Sequence, residues 1–380
     1  MNGYLDTFLP VAEPDLGLLE ERYVMDALRS GWVSSIGAYI QKFEVEFAEL
    51  CGVTHAIAVS NGTVAIHVAL VAAGIGPGDE VIVPALTFVA TAAVVRHAGA
   101  EPVFVDSEPE IGTLDLKAVE RAISPKTKAI IPVHLYGHPA DMDPIVAIAK
   151  ARNLVVVEDA AEAHGAKYKG RLVGGMGKMG TYSFYGNKIL TTGEGGAVIT
   201  DDDALAARLR FLKDHAMDPK RRYWHPEVGY NYRMTNLQAA MGCAQIERFH
   251  ELCAKRTHVV DLYREVFQGS GVTINPCKPW AEPVPWLVCA LLPEGTTRER
   301  RDGLMAKLKS VKIDSRPYFH LLCDMPPYAS CRRVGADGGA ALPVAEDLSR
   351  RGLNLPSVNT ITTKQASRIR DAFDDLPKGS

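Results

Sequence analysis

Residues 181–200 read TYSFYGNKILTTGEGGAVIT and contain one lysine, Lys188, between two apolar runs. The aromatic run before this lysine and the glycine-rich turn after it predict a strand, an irregular loop and a returning strand. Such a loop can hold Lys188 inside the fold, where lysine is rare unless it has a partner or a chemical role. Burial lowers the pKa of an amine, and a neutral amine can form a Schiff base with an aldehyde. On this stretch alone, a solvated lysine at the tip of a hairpin remains the alternative.

Length and composition are those of an ordinary soluble globular protein. Of the 380 residues, 47% are hydrophobic and 23% are charged, and the formal net charge is −3. The chain has no long basic run for nucleic acid, no apolar run long enough to span a bilayer, and no signal-peptide pattern in Met1–Pro10. Its seven cysteines form no Cys-x-x-Cys pair, which argues against a zinc site or a disulfide framework. We therefore expect a cytoplasmic protein with reduced thiols and no metal.

Short apolar runs alternate with helical patterns through the first half of the chain. Strands are predicted at 55–59, 80–84, 102–106, 127–133 and 154–159, and helices between them at 64–73, 89–97, 116–122 and 142–152. Strands and helices that alternate in this way form a mostly parallel sheet with helices on both faces. Right-handed crossovers bring the carboxyl ends of the strands, and any ligand, to one edge of the sheet. The predicted fold class is therefore α/β.

Two domains are predicted. An irregular N-terminal arm, helices at 15–28 and 40–51, the alternating region and the Lys188 stretch form a large α/β domain over residues 1–250. One long helix is predicted from Thr235 to about Phe267, and the mixed pattern near 285–316 is typical of a small α+β domain, assigned to residues 251–380. In the loop at 31–37, Trp32 could be the wall of a substrate site or a hydrophobic plug.

Groups of polar or aromatic residues stand where four predicted strands run into loops. Ser60-Asn61-Gly62-Thr63 precedes a helix, whose free N–H groups and dipole can bind a phosphate, although an ordinary N-cap has the same pattern. Phe88 follows another strand and could stack on a flat ring or pack in the core. Asp159 closes a buried strand, where a carboxylate is costly unless it meets a cation. The fourth group is the opening stretch, with Ser183 as a phosphate ligand and Lys188 as a nucleophile.

These four groups together fit one cofactor, pyridoxal phosphate (PLP). PLP needs a phosphate site, an aromatic side chain over its ring, an aspartate at its pyridine nitrogen and a lysine for its aldehyde. A Walker-B-like metal ligand is the competing interpretation of the aspartate, but no Gly-x-x-x-x-Gly-Lys-Ser/Thr loop precedes it. His134 and His138 could be taken for metal ligands, but the sequence suggests no third ligand.

The motifs resemble those of the DegT/DnrJ/EryC1/StrS family of sugar aminotransferases, which has the aspartate-aminotransferase fold (fold type I of PLP enzymes). The resemblance extends from residue 31 to residue 356, and its most specific parts are SNGT at 60–63, EDAAE at 158–162, SFYGNK at 183–188 and GYNYRM at 229–234. It implies a PLP-dependent enzyme that moves the amino group of L-glutamate to the 4-keto carbon of a nucleotide-linked 4-keto-6-deoxy sugar. Further motifs, including WVSSIG at 32–37 and RYW at 222–224, make GDP-4-keto-6-deoxymannose the expected substrate.

The resemblance also implies roles for individual residues. Lys188 would be the catalytic residue, forming the internal aldimine with PLP, and pyridoxamine phosphate would be the intermediate carrier. The cofactor-binding residues would be Gly62, Thr63, Phe88, Asp159, Glu162, Ser183 and Asn231. The last of these would reach the cofactor phosphate of the neighbouring subunit, so that a homodimer shares its active sites. The substrate-binding residues would be Trp32, Ser35, Tyr185, Arg233, Arg316, Tyr318 and His320.

Several alternatives stay open. The nucleotide could be dTDP or UDP, and the protein could be a PLP-dependent sugar dehydratase or a non-catalytic PLP or sugar-nucleotide sensor. A related branch of sugar 3-dehydratases carries histidine in place of Lys188, so the lysine favours transamination. Many family members have glutamine where this chain has Glu162, which leaves that role open. Arg233, Arg316 and His320 could bind a diphosphate or form ion pairs between domains.

Overall fold

The strands and helices follow the alternating pattern of the sequence. The computed structural model describes residues 8–373, so the first residues of the predicted arm, 1–7, and the last of the predicted small domain, 374–380, lie outside it. The strands are β1 His55–Val59, β2 Glu80–Pro84, β3 Glu101–Val105, β4 Thr127–Ile130, β5 Val155–Asp159, β6 Lys167–Tyr168, β7 Arg171–Leu172, β8 Met179–Ser183, β9 Gly196–Thr200, β10 Thr273–Ile274, β11 Ala281–Glu282, β12 Val288–Leu291, β13 Arg316–Pro317, β14 Arg333–Val334 and β15 Gly352–Leu355. The helices are α1 Leu18–Arg29, α2 Ala38–Cys51, α3 Gly62–Ala72, α4 Ala90–His97, α5 Leu116–Ala122, α6 Met142–Arg152, α7 Asp203–Lys213, α8 Asn236–Glu247, α9 Phe249–Val266, α10 Arg298–Ser310, α11 Pro343–Arg351 and α12 Thr363–Asp371.

The central sheet has eight strands in the order β1-β9-β8-β5-β4-β2-β3-β14. Neighbouring strands are parallel except around β9, which is antiparallel to both β1 and β8. The predicted strand, loop and returning strand around Lys188 are therefore β8, the loop 184–195 and β9. This mostly parallel sheet confirms the predicted α/β class.

Both faces of the sheet are covered by apolar side chains. Ile57 and Val59 of β1 belong to one cluster of buried residues, and Ala56 and Ala58 belong to the cluster on the opposite face. The same alternation runs through β2 to β5, which explains why these strands are apolar at nearly every position. Within residues 8–373, none of the helices has the length and apolar character needed to cross a membrane.

A second sheet, with the order β10-β12-β15-β13, is fully antiparallel and packs with α9, α10 and α12 around its own buried cluster. All of its strands lie within the predicted small domain, although the boundary at residue 250 stays a prediction. Two other segments cross that boundary. Strand β14 returns to the edge of the central sheet, where it pairs with β3, and the arm residue Leu9 exchanges backbone hydrogen bonds with Lys312 and Asp314.

The predicted long helix from Thr235 is wrong, because it is two helices. The break falls at Arg248 (φ −95°, ψ 4°), between α8 and α9. The Arg248 guanidinium bonds the carboxylates of Asp15 (2.6 Å) and Glu20 (2.8 Å), which holds the start of α1 against this break. Asp15 is therefore an ion-pair partner and not the N-cap of α1, which begins at Leu18. Burial alone would raise the pKa of Asp15, but hydrogen bonds, including the one from Arg248, lower it to about 2.

Two of the glycines after Lys188 are needed by the protein backbone itself. Gly193 has a φ of +81° and open space around it, as a tight turn requires. Gly196 faces both Val59 of β1 and Ser183 of β8 across the sheet. A Cβ on Gly196 would lie against the Asn61 carbonyl and 2.9 Å from the Gly62 nitrogen. Only glycine therefore lets the start of α3 approach the sheet this closely.

We predict that Gly196→Ala lowers the free energy of unfolding by about 1–3 kcal/mol, because the added methyl group meets fixed backbone. The control is Gly303→Ala in the middle of α10, where a Cβ meets open space. That substitution should leave stability unchanged or raise it by up to about 1 kcal/mol, since alanine favours helix. Urea unfolding of both variants tests this, and equal stability of the two would contradict it.

Candidate active site

The predicted site residues follow the carboxyl ends of four strands. Gly62 follows β1, Phe88 follows β2, Asp159 ends β5 and Ser183 ends β8. Since β1 and β8 are both antiparallel to β9, they run parallel to each other and to β5 and β2. All four residues consequently lie along the same edge of the central sheet.

The start of α3 and the end of β8 form one end of the site. The Asn61 side chain caps α3 by accepting a hydrogen bond from the Val64 nitrogen at 3.0 Å. A Cβ on Gly62 would lie 2.6 Å from the Ser183 Cβ and 3.0 Å from its hydroxyl oxygen. The Ser183 hydroxyl is thus beside the first N–H groups of a helix, including that of Thr63, which have no partner within the helix. This combination suits an anion such as a phosphate.

Asp159 is buried on the sheet edge with few protein partners. One carboxylate oxygen accepts a hydrogen bond from the Thr91 hydroxyl at 2.8 Å, and the other accepts one from the Ala161 nitrogen at 3.2 Å. Burial raises the pKa of Asp159, and its hydrogen bonds only partly oppose the rise. A cation at this carboxylate would offset the cost of burial.

Phe88 lies at the opening of the site, three residues before Thr91 on the same loop and helix start. Its side chain is 52% exposed, and its ring centroid is 5.9 Å from that of Phe319. The interpretation of Phe88 as a core residue is therefore wrong, because about half of its surface is exposed. Sequence reasoning missed Thr91, whose backbone nitrogen donates to the Phe88 carbonyl at 3.3 Å.

Lys188 is buried, so the solvated-tip interpretation is wrong. Its side chain is 9% exposed, and its amine lies 3.9 Å from a carboxylate oxygen of Glu162. The amine also lies 3.5 Å from the ring centroid of Trp286, a residue that sequence reasoning missed. Burial lowers the pKa of Lys188, although the charges of Glu162 and Asp159 act in the opposite direction.

Glu162 lies beside the lysine and is itself buried. One of its oxygens accepts a hydrogen bond from the Tyr136 nitrogen at 2.7 Å. Burial raises the pKa of Glu162 to about 7, despite the opposing effects of Lys188 and of this hydrogen bond. A carboxyl group with a raised pKa can take up and release a proton, which a glutamine in the same place cannot do.

Glu158, the other acidic residue at the end of β5, is held by the protein itself. Its carboxylate accepts hydrogen bonds from the backbone nitrogens of Gly174, Met176 and Gly177 at 2.5–2.7 Å. His134 lies 3.0 Å away through Nε2, and its Nδ1 accepts a hydrogen bond from a backbone nitrogen, so the ring is placed to donate to Glu158. This network anchors a loop and leaves Asp159 as the carboxylate that faces the site.

The two histidines considered as metal ligands have protein partners. His134 bonds Glu158, and the ring of His138 contacts the Pro139 carbonyl at 2.7 Å and the Lys278 nitrogen at 3.1 Å. Over the part of the chain that the structure describes, no group of three or more His, Cys, Asp or Glu side chains is arranged to hold a metal ion.

The loop 31–37 is fixed by Asn236, another residue that sequence reasoning missed. The Asn236 amide donates to the Trp32 carbonyl at 2.7 Å and accepts from the Tyr39 nitrogen at 3.0 Å, and Gly37 leaves no room for a Cβ beside it. Trp32 is nevertheless 55% exposed, so it is not a hydrophobic plug. Ser35 on the same loop is half-buried.

The other predicted substrate residues have different surroundings. Tyr185 is half exposed, three residues before Lys188. Arg316 on β13 and His320 are exposed side chains. Tyr318 is instead buried, with its ring centroid 4.8 Å from that of Tyr136 and its nitrogen bonded to the Gly352 carbonyl. Tyr318 belongs to the buried apolar cluster, and its role at the substrate stays a prediction.

Arg233 and Asn231 form a local cluster. The Arg233 guanidinium pairs with Asp214 at 2.9 Å and donates twice to the Asn231 side-chain oxygen at 3.1 and 2.9 Å. This pairing lies within the predicted large domain, so Arg233 is not an ion-pair partner between domains. Asn231 is exposed, and because its oxygen is occupied, its NH₂ group is left as a donor to an outside group.

The residues at this edge fit PLP. They offer an anion site at Gly62 and Ser183, an open aromatic face at Phe88, a buried carboxylate at Asp159 and a buried amine at Lys188. Two buried polar atoms on the loops that carry Phe88 and Lys188, Thr87 Oγ1 and Asn187 Oδ1, have no hydrogen-bond partner among residues 8–373. Buried polar atoms are normally paired, so these two point to a polar ligand.

Comparison with known proteins agrees with this geometry. The model of the DegT/DnrJ/EryC1/StrS aminotransferase family matches residues 14–374. Two relatives named GDP-perosamine synthase, from Caulobacter vibrioides and Escherichia coli O157:H7, are 48% and 44% identical, and each match covers 97% of this chain and 98% of the relative. The solved PLP form of a putative sugar aminotransferase from Streptococcus pneumoniae has a TM-score of 0.89 and 27% identity, covering 96% of this chain and 97% of that chain.

We predict that Glu162 makes the stability of the cofactor-free protein depend on pH. The folded pKa of about 7 exceeds the ordinary value of 4.5, so the contribution of Glu162 is complete below about pH 4.5 and is lost as the pH rises through 7. In Glu162→Gln this loss disappears, and the variant should gain stability relative to the unsubstituted chain between about pH 5 and about pH 8. Urea unfolding across this range measures the difference. Glu120→Gln on the exposed face of α5 is the control, and parallel pH curves for all three proteins would contradict the prediction.

Proposed function

Because the chain belongs to the DegT/DnrJ/EryC1/StrS aminotransferase family, we propose that it makes GDP-perosamine from GDP-4-keto-6-deoxymannose. In this reaction the amino group of L-glutamate moves to the 4-keto carbon of the sugar. The support for the substrate is the pair of relatives named GDP-perosamine synthase, at 48% and 44% identity across 97% of this chain. The observation that carries the chemistry is the buried amine of Lys188, 3.9 Å from the Glu162 carboxylate.

The cofactor in this proposal is PLP, held by residues along the sheet edge. Gly62, Thr63 and Ser183 would bind its phosphate, Phe88 would cover one face of its ring, and Asp159 would pair with its pyridine nitrogen. When bound, PLP supplies an aldehyde carbon that takes an amino group from one substrate and passes it to another. Because Asp159 is buried, its carboxylate would hold a proton on the pyridine nitrogen more strongly than an exposed carboxylate would.

Lys188 would both attach the cofactor and move protons. Its burial favours the neutral amine, which has the lone pair needed to attack the aldehyde carbon. Once released from that carbon, the amine can accept a proton from the substrate carbon and return it to the cofactor. Glu162, with a pKa of about 7, can hold or release a proton beside it at the working pH.

The substrate would be recognised by side chains on two loops. Tyr185 lies on the loop that carries Lys188, and Trp32 and Ser35 lie on the loop 31–37. Arg316 and His320 are the candidate partners of the nucleotide diphosphate. Large apolar side chains are unusually exposed here, including Ile36 at 63%. Exposed apolar patches often mark interaction sites, which supports a homodimer that covers this edge. In such a dimer the free NH₂ group of Asn231 would reach the cofactor phosphate of the partner.

We predict that Lys188→Ala loses both transamination and the absorbance of lysine-bound PLP. Turnover should fall by at least about 10³-fold, since the variant lacks both the nucleophile and the proton carrier. Lys126→Ala on an exposed turn is the matched control and should behave as the unsubstituted chain does. Full turnover by Lys188→Ala would contradict the proposal that Lys188 is the catalytic residue of a PLP-dependent aminotransferase.

The experiment that tests the substrate compares GDP-, dTDP- and UDP-linked 4-keto-6-deoxy sugars side by side, each with L-glutamate. We expect the amino sugar to form fastest from GDP-4-keto-6-deoxymannose, with 2-oxoglutarate formed in equal amount. Faster reaction of the dTDP- or UDP-linked sugar would show that the natural substrate carries that nucleotide instead of GDP. Loss of a sugar hydroxyl without transfer of nitrogen would favour the dehydratase.

We predict that two inactive variants, Lys188→Ala and Asn231→Ala, restore activity when they share a dimer. A mixed dimer has one site with both residues intact, and random assembly makes half of all dimers mixed. Activity should therefore return to about a quarter of that of the unsubstituted protein. Co-expression with two different affinity tags measures this. If the purified mixed dimer stays inactive, Asn231 does not act across the interface.

A further inference from the structure

Trp286 lies against the reactive lysine, although it comes from a distant part of the chain. It stands two residues before β12 and is buried. The Lys188 amine is 3.5 Å from the centroid of its ring. A cation in this position over an indole is attracted by the negative face of the ring, and tryptophan is the strongest such partner among the aromatic side chains.

Three hydrogen bonds fix the position of this indole. The Trp286 nitrogen donates to the Tyr136 carbonyl at 3.0 Å, and its carbonyl accepts from the buried Arg256 guanidinium at 2.9 Å. The indole N–H donates to the Asn187 carbonyl at 2.9 Å, directly beside Lys188. The two backbone bonds fix the main chain of Trp286, and the ring cannot turn away from the amine without breaking the indole bond to Asn187.

Tyr136 connects this ring to the carboxylate. Its nitrogen donates to Glu162 at 2.7 Å while its carbonyl accepts from Trp286. Tyr136 has a φ of +53°, a left-handed conformation that is uncommon for an aromatic residue. One backbone unit therefore sets the distance between the indole face and the Glu162 carboxylate.

We propose that Trp286 is a positioning residue for Lys188. The face of its indole ring holds the Lys188 amine beside Glu162 whenever that amine is not bonded to the cofactor. The proposal rests on the proposed function only in that PLP is the cofactor. The titratable groups that face Lys188 are Glu162, Asp159 and His164. Burial lowers the pKa of His164 to about 3. Trp286 is thus the uncharged partner of the amine, and replacing it changes no formal charge in the site.

The test follows PLP uptake by the full-length protein after its cofactor has been removed. The uptake rate depends on the neutral amine, so a pH series gives the apparent pKa of Lys188. Trp286→Leu removes the attraction to the ammonium form, and the apparent pKa should fall by about half a unit to one unit. Trp286→Phe keeps a ring face and should show a smaller fall in pKa.

Trp280→Leu is the control for the loss of a packed tryptophan side chain, and Trp280 itself is partly buried. Trp280 lies in the same segment, but its ring packs on Tyr168 and His138, away from Lys188. This variant should keep the original apparent pKa. An unchanged pKa in Trp286→Leu, or an equal fall in Trp280→Leu, would overturn the proposal. If Lys188→Ala took up PLP with the same absorbance change, the proposed function would fail instead.

Fluorinated tryptophan keeps the test decisive if Trp286→Leu does not fold. Fluorine weakens the negative face of the indole while keeping its shape, and the chain has four tryptophans to label. The apparent pKa should fall stepwise as fluorine atoms are added. The same series in Trp286→Phe should show no trend, and a trend that persists there would overturn the proposal.

Discussion

The burial of one amine beside two carboxylates is the interaction on which the rest of this structure depends. Removing an ammonium group from water is costly, and a single carboxylate 3.9 Å away offsets only part of that cost. Two acidic residues and an aromatic ring lie around Lys188, and burial also disfavours the charged form of both acids. The pKa of Glu162 and of Asp159 is raised while that of Lys188 is lowered. Burial thus shifts all three groups toward their uncharged forms.

The parallel sheet makes this concentration of charge possible. The carboxyl ends of its strands deliver Asp159, Ser183 and the start of α3 to one edge, and Gly196 lets that helix approach the edge without a side chain between. The acid next to Asp159 is bonded by three backbone nitrogens and a histidine, so it adds no unpaired charge. Asp159 and Ser183 are held at the ends of strands, whereas Lys188 lies on a loop, and the side chains of Trp32 and Tyr185 are exposed.

Sequence reasoning predicted those features of the site that are set by residues close together in the chain. The strands, the loop of Lys188 and the position of Asp159 follow from apolar patterns and turn residues, which act over a few neighbours. Trp286, Tyr136 and Asn236 were missed because their roles arise from contacts between distant segments. The PVPW segment before β12 is typical of a loop, and nothing local indicates that its tryptophan meets Lys188. The helix break at Arg248 was missed for the same reason, since its ion pairs involve the N-terminal arm.

The return of β14 to the central sheet has a consequence for how this protein is made. Its residues 333–334 pair with β3, and the buried Trp286 also comes from the second half of the chain. A ribosome that has synthesised the whole Lys188 region has therefore not yet supplied the last strand of the sheet or the aromatic surface beneath the amine. The nascent chain contains the residues of β1 to β9 early, but the Lys188 amine gains its indole neighbour only after residue 286 has been synthesised. Chains that stop before residue 334 consequently have an unfinished sheet edge, and those that stop before residue 286 also leave the Lys188 amine without its indole neighbour.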